Sequence, residues 1–128
     1  MKKSISEFYR EELNSWIDSI LFYLIEINKM EDRLKEVISR DGIVDIAAKV
    51  EVYQLMLNKS KSKFEILKDE VIEQKITLQT NVDLFDDTHM KREAKNKMKL
   101  LALHYKQVEL EYINVKDYCT IFLNDILN

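Results

Sequence analysis

Apolar residues recur at alternating spacings of three and four along three long stretches of this sequence, residues 13–37, 43–78 and 94–126. A spacing that averages 3.5 residues places these side chains on one stripe of an α-helix. Persistence of the pattern over four or more heptads is typical of coiled-coil packing. The sequence therefore predicts three long helices, at residues 5–40, 43–81 and 87–127.

Turn-forming residues are almost absent, which leaves few places where the chain can reverse. It contains no proline and one glycine, Gly42. Asp41-Gly42 can end the first helix, because glycine readily takes the left-handed position after a helix, and Asp86-Asp87-Thr88 can cap the third. Short connections place neighbouring helices antiparallel. We therefore expect an all-α, up-down-up three-helix bundle with coiled-coil packing that forms a single domain over residues 1–128.

Folding the three stripes back on one another also predicts which residues share a layer of the core. Reversal at the glycine pairs positions of the first two helices whose numbers sum to about 83. Reversal near residue 84 pairs positions of the second and third helices whose numbers sum to about 168. The expected layers include Trp16 with Leu67 and Leu101, and Ile20 with Phe64 and Tyr105.

Two polar residues, Ser60 and Gln74, interrupt the apolar stripe of the second helix. Tyrosines fall at the expected heights, Tyr23 for Ser60 and Tyr9 for Gln74, and their hydroxyls could satisfy these side chains. Buried polar residues of this kind commonly fix helix register at a cost in stability. A pocket for a small apolar ligand in the Ser60 layer is an alternative, which would make the protein a carrier.

Residue types that bind metals are sparse. His89 and His104 are the only histidines. Metal sites in helical bundles combine Glu-x-x-His motifs on two helices with inward-facing glutamates on the others. Leu101 stands where that motif would place an acid before His104, and Asp86 precedes His89 at a helix start, where acids also serve as caps. We predict a non-enzymatic protein with no cofactor; the alternative is a helical-bundle metalloprotein or enzyme that uses His104, His89 and nearby acids.

Two other reactive side chains have ordinary structural interpretations. Glu26 interrupts the most apolar stretch on the flank of the first stripe. A desolvated carboxylate could act in acid–base chemistry, but at such a flank it more commonly pairs with a basic neighbour. Cys119 falls on the third stripe, where a cysteine behaves as a small buried hydrophobe and not as an exposed thiolate.

The charge balance disfavours nucleic acid as a partner. The net charge is −3, from 20 basic and 23 acidic residues, and the basic run Lys91 to Lys99 points around much of its helix. No apolar stretch approaches the roughly 20 residues that a membrane span requires. The lone cysteine cannot form an internal disulfide. We therefore expect a soluble, cytoplasmic protein that binds no nucleic acid and spans no membrane.

Apolar residues outside the three stripes indicate a surface for another protein. The outer faces of a bundle that is complete in itself are polar. Here Leu21, Phe22 and Ile25 cluster on the first helix, and Leu103 and Leu110 fall near the same height on the third. We therefore expect the groove between these helices to bind a protein, either a second copy in a homodimer or another partner.

Three short motifs lie in the first helix: Glu12-x-x-x-Trp16, Phe22-Tyr23-x-x-Glu26 and Arg33-Leu34-x-Glu36. In these motifs the helix resembles short all-helical hypothetical proteins of Bacteroidetes-type bacteria. This resemblance implies no activity. The predicted architecture is also similar to spectrin repeats, which share a tryptophan in their first helix. Their second tryptophan, in the third helix, is missing here, so this likeness is one of geometry and implies no function.

Overall fold

A computed structural model of the chain describes residues 5–41, 44–80 and 92–127, all of which are helical. Helix α1 spans Ile5–Asp41, α2 spans Val44–Thr80 and α3 spans Arg92–Leu127. The three helices pack against one another, which confirms the predicted all-α three-helix bundle. Gly42, the Asp86-Asp87-Thr88 cap and His89 lie outside the described residues. Within them, no helix combines the length and apolarity that crossing a bilayer demands.

The core consists of the residues on the three stripes. Helices of this length gain most of their stability from tertiary packing of an apolar face, at about 1.5–3 kcal/mol for each large side chain that is fully buried. Burial repeats every seven residues, as the heptad pattern predicts. The completely buried positions include Leu13, Ile20, Ile27 and Leu34 on α1, and Val50, Leu57, Phe64 and Val71 on α2.

Side-chain contacts between α1 and α3 show that these two helices are parallel. The rings of Trp16 and Tyr105 stack with centroids 5.8 Å apart. Further along both helices, Lys116 Nζ donates to Glu26 Oε2 at 2.8 Å. Residue numbers therefore increase together along the two helices.

Contacts between α2 and α3 run in the opposite sense. His104 Nδ1 lies 3.0 Å from Glu70 Oε2. The rings of Tyr53 and Phe122 stack at 4.5 Å. Along the bundle axis, residue numbers rise on α3 as they fall on α2, so these helices are antiparallel. The bundle therefore has the predicted up-down-up order.

The predicted layers of the core are displaced along the bundle axis. Phe64 was expected beside Tyr105, but its ring contacts Tyr23 at 5.3 Å and Tyr112 at 5.4 Å. Tyr105 stacks on Trp16 instead. Relative to α2, α3 is therefore displaced by about seven residues, from Tyr105 to Tyr112, so the sequence-based register of this pair is wrong while the choice of buried stripes is right.

Contacts between α2 and α3 give the size of this displacement. The reversal between these helices was expected near residue 84, which pairs positions whose numbers sum to about 168. Facing positions on α2 and α3 instead carry numbers that sum to about 174, as in the Glu70–His104 pair. The shift on this pair of helices is close to one heptad, so apolar positions still meet apolar positions.

Candidate functional site

All five residues of the predicted α1–α3 interaction surface are exposed. Their exposed fractions range from 44% to 66%, which is high for large apolar side chains in a bundle with a well-filled core. Exposure of single apolar residues is ordinary, so their arrangement decides what they can do. The five are Leu21, Phe22, Ile25, Leu103 and Leu110.

The five residues divide between two helices, and helical spacing gives their directions. The flank of α1 that faces α3 carries Glu26, and Ile25 lies about 100° further round the helix, away from α3. Leu21 lies one turn from Ile25 on the same outer face, whereas Phe22 lies one turn from Glu26. Leu103 and Leu110 are seven residues apart, so they share a stripe on the side of α3 that points away from the core. The interaction groove between α1 and α3 stays a prediction.

Polar side chains also bridge α1 and α3, beside the stacked rings of Trp16 and Tyr105. The Tyr23 hydroxyl donates to Glu109 Oε2 at 2.8 Å, and the Tyr105 hydroxyl donates to the same oxygen at 2.8 Å. One carboxylate oxygen of α3 thus receives a hydrogen bond from each helix. Together with the contacts of Glu26, described next, these residues form what we call the polar seam.

Glu26 completes the polar seam one turn further along. The Tyr112 hydroxyl donates to Glu26 Oε1 at 3.0 Å, and Lys116 Nζ donates to Oε2 at 2.8 Å. The expectation that Glu26 pairs with a basic neighbour is confirmed. Both oxygens of this carboxylate accept hydrogen bonds from α3. Directional hydrogen bonds therefore hold α1 against α3 in addition to apolar packing.

The polar seam keeps its tyrosines protonated. Burial, followed by the hydrogen bond to Glu109, raises the pKa of Tyr23 well above its usual value of 10.0. Burial and the Glu26 hydrogen bond raise the pKa of Tyr112 in the same way. A neutral hydroxyl that donates to a carboxylate would lose that bond on ionisation and face a like charge. The seam is therefore an arrangement of fixed proton donors that positions α1 against α3.

An apolar groove between α2 and α3 is the feature that the sequence-based reasoning missed. Val52 and Ile121 line a cavity of about 330 Å³ and are 55% and 60% exposed. The stacked rings of Tyr53 and Phe122 form its floor. We call these four residues the α2–α3 apolar groove.

Two further exposed apolar residues lie near the groove along the two helices. Leu55 on α2 and Tyr118 on α3 are 63% and 59% exposed, and each lies within one turn of a groove residue. Lys49 and Asp125 line the same cavity from opposite helices. The groove thus has a cation on one rim and a carboxylate on the other.

A second cavity lies next to the α2–α3 apolar groove, beside Ser60. Its volume is about 280 Å³, and its lining includes Met56, Ser60 and Val115. Ser60 was expected beside Val108, and its neighbour Val115 is seven residues further along α3, as the one-heptad shift requires. The Lys63–Glu111 ion pair closes one side. The cavity combines an apolar wall with one buried hydroxyl.

Gln74, the other polar residue of the α2 stripe, is 5% exposed, and its Nε2 has no hydrogen-bond acceptor among the residues that the structure describes. The expectation that Tyr9 would satisfy it is therefore wrong for this nitrogen. A buried amide hydrogen without an acceptor destabilises the folded state by about 1–3 kcal/mol.

The remaining candidate residues occupy ordinary positions. His104 pairs with Glu70, and in residues 5–41, 44–80 and 92–127 no three histidines, cysteines or acids gather as a metal-binding group. Cys119 is completely buried, and burial raises the pKa of its thiol to about 11. A thiol in this state is a poor nucleophile at neutral pH.

Comparisons of the chain with protein-family models, with curated proteins and with solved structures find no match. The resemblance of helix α1 to short bacterial helical proteins therefore stays a prediction.

Proposed function

We propose that this chain is a non-enzymatic protein–protein interaction module of the cytoplasm that self-associates through apolar residues on the outside of its helices. The observation that supports the proposal is the α2–α3 apolar groove, in which Val52 and Ile121 are more than half exposed above a floor of stacked rings. Contiguous exposed apolar surface of this kind usually marks a site of association.

The energetic argument concerns what association would remove from water. Complete burial of an aliphatic side chain contributes about 1.5–3 kcal/mol. In a symmetric dimer each groove residue is buried in both copies, so its contribution counts two times. Several such side chains are needed to offset the entropy lost on association. Val52, Leu55, Tyr118 and Ile121 supply them on one side of the bundle.

A second copy is a suitable partner on electrostatic grounds. The net charge of −3 is small for 128 residues, so two copies repel one another only weakly at physiological ionic strength. A reducing compartment such as the cytoplasm is consistent with Cys119, the single cysteine of the sequence, whose thiol is free.

Sedimentation equilibrium from about 1 to 100 µM tests the proposal, since this range covers the dissociation constants of ordinary homodimers. The expected result is a mass that rises with concentration toward twice the 15.3 kDa of one chain. A mass of one chain throughout this range contradicts self-association.

The cavity beside Ser60 supports a second candidate, a carrier of a small apolar ligand. Its volume of about 280 Å³ is near the lower limit for ligand pockets, and Ser60 provides one buried polar group for orientation. Titration with 8-anilinonaphthalene-1-sulfonate tests this candidate. Fluorescence that rises with wild type, but not with Val115→Phe, supports a pocket. Equal fluorescence with both proteins contradicts it.

A further inference from the structure

We propose that the α2–α3 apolar groove binds the same groove of a second copy, with the twofold axis running along the groove. This inference rests on the proposed self-association and specifies its surface and symmetry. It places α2 of each chain against α3 of the other. The four helices then form two layers around a shared core of Val52 and Ile121 from both copies.

The charges on the two rims of the groove carry the inference. Lys49 on α2 and Asp125 on α3 line the same cavity, and within the described parts of the chain neither makes an ion pair. Further along the same helices, Lys63 on α2 faces Glu111 on α3. The α2 rim is thus basic and the α3 rim acidic at both heights.

Two chains that meet face to face can be related by a twofold axis in only two simple ways, because the axis must lie in the plane of the interface. An axis along the groove keeps each residue at its own height and exchanges the rims. Lys49 then meets the partner's Asp125, and Val52 meets the partner's Ile121. Each contact occurs twice, so the dimer gains two ion pairs that the single chain lacks.

An axis across the groove gives a different set of contacts. It places α2 against α2 in antiparallel orientation, so residues equidistant from the centre of the groove meet. With the centre of the groove between Val52 and Tyr53, Lys49 would meet the partner's Met56 and Asp125 the partner's Tyr118, so neither charge gains an opposite charge. Opposite charges that meet across an interface fix its orientation. The charge pattern therefore favours the axis along the groove.

Charge reversal with recovery tests this arrangement. Lys49→Asp alone and Asp125→Lys alone each convert both intermolecular ion pairs into repulsions. Each should raise the dimer dissociation constant about tenfold, because every exposed contact changes by up to about 1 kcal/mol. An equimolar mixture of the two variants should form a heterodimer as tightly as wild type dimerises, since both contacts are attractive again. With the axis across the groove, each reversal would instead leave the dissociation constant nearly unchanged, because position 49 would face the partner's Met56 and position 125 the partner's Tyr118.

A matched pair of apolar variants identifies the surface independently. Ile121 and Ile25 are 60% and 54% exposed, on α3 and α1 respectively. Ile121→Glu should raise the dissociation constant about a hundredfold, because it places two carboxylates in the shared core. Ile25→Glu, on the outer face of α1, should leave it unchanged. Far-UV circular dichroism of both variants shows that the helices remain folded.

The outcomes separate this inference from the function on which it rests. A wild-type protein that stays monomeric overturns both. A dimer that persists in Ile121→Glu and in both charge reversals, but is lost in Ile25→Glu, supports self-association and contradicts the groove as its interface. A dimer that is weakened by both reversals but not recovered in the mixture overturns the axis along the groove.

Discussion

Removal of the Tyr112 hydroxyl tests how the polar seam links stability to pH. This side chain has no exposed surface, and its hydroxyl donates to Glu26 at 3.0 Å. Burial and the carboxylate raise the pKa of Tyr112 above its ordinary value of 10.0. The folded chain therefore keeps a proton that the unfolded chain releases near pH 10. The resulting stabilisation is complete below pH 10 and is lost progressively as the pH rises above it.

The size of this loss follows from proton linkage. One pH unit of differential protonation at a single group corresponds to about 1.4 kcal/mol. Between pH 10 and pH 11 the free energy of unfolding should therefore fall by about 1 kcal/mol more in wild type than in Tyr112→Phe, since half of the unfolded tyrosines are already ionised at pH 10. At pH 7 the variant should be less stable by about 1.5 kcal/mol, because it lacks one hydrogen bond to a carboxylate.

Urea denaturation followed by far-UV circular dichroism at pH 7, 10 and 11 measures these differences. Val108→Ala is the matched control: Val108 is 3% exposed on the same helix, and its truncation destabilises the fold by about 1–3 kcal/mol without removing a titrating group. Its loss of stability between pH 10 and 11 should equal that of wild type. An equal loss in Tyr112→Phe would refute the linkage argument.

Three further predictions concern buried groups. Gln74→Met should raise the free energy of unfolding by about 1 kcal/mol in urea denaturation, because it removes a buried amide without an acceptor; a lower value would contradict this account. Glu109→Leu should lower it by about 2 kcal/mol, because the hydroxyls of Tyr23 and Tyr105 lose their acceptor; unchanged stability would show that these bonds contribute nothing. Cys119 should react with a disulfide reagent at pH 8 only in proportion to the unfolded fraction. Rapid reaction of the native protein would contradict its burial.

The buried set of residues could be predicted from the sequence because a seven-residue repetition admits few alternatives. Leu34, Val50 and Cys119 were placed in the core by spacing alone, and all three are completely buried. A helix that presented any other face would expose its entire stripe to water. Burial is therefore a property of each helix by itself, which local sequence determines.

The relative heights of the helices could not be predicted in the same way. If α3 slides by one heptad along α2, each apolar residue takes the position previously held by the next apolar residue of its stripe. The buried apolar area therefore hardly changes. The choice between such registers depends on specific side-chain pairs, such as Tyr53 with Phe122. Small differences among many pairs are not visible in a spacing pattern.

The polar seam and the α2–α3 apolar groove were missed for this reason. Glu109 and Lys116 stand at stripe flanks, where charged residues are ordinarily solvated, but the structure places them beside Tyr23 and Glu26 of α1 respectively. Val52 and Ile121 lie 69 positions apart in the sequence and look like isolated exposed residues until the helices are aligned. The heptad spacing within each helix does not show that these two residues lie side by side.

The parallel pairing of α1 with α3 has a consequence for synthesis on the ribosome. The bonds from Tyr23 to Glu109 and from Lys116 to Glu26 join residues 86 and 90 positions apart. The acceptor for Tyr23 therefore emerges only after α1, α2 and the first half of α3 have been translated. Until then the nascent α1–α2 hairpin presents a tyrosine and a glutamate whose partners are missing, so the synthesis of α3 sets the time at which α1 acquires its polar contacts.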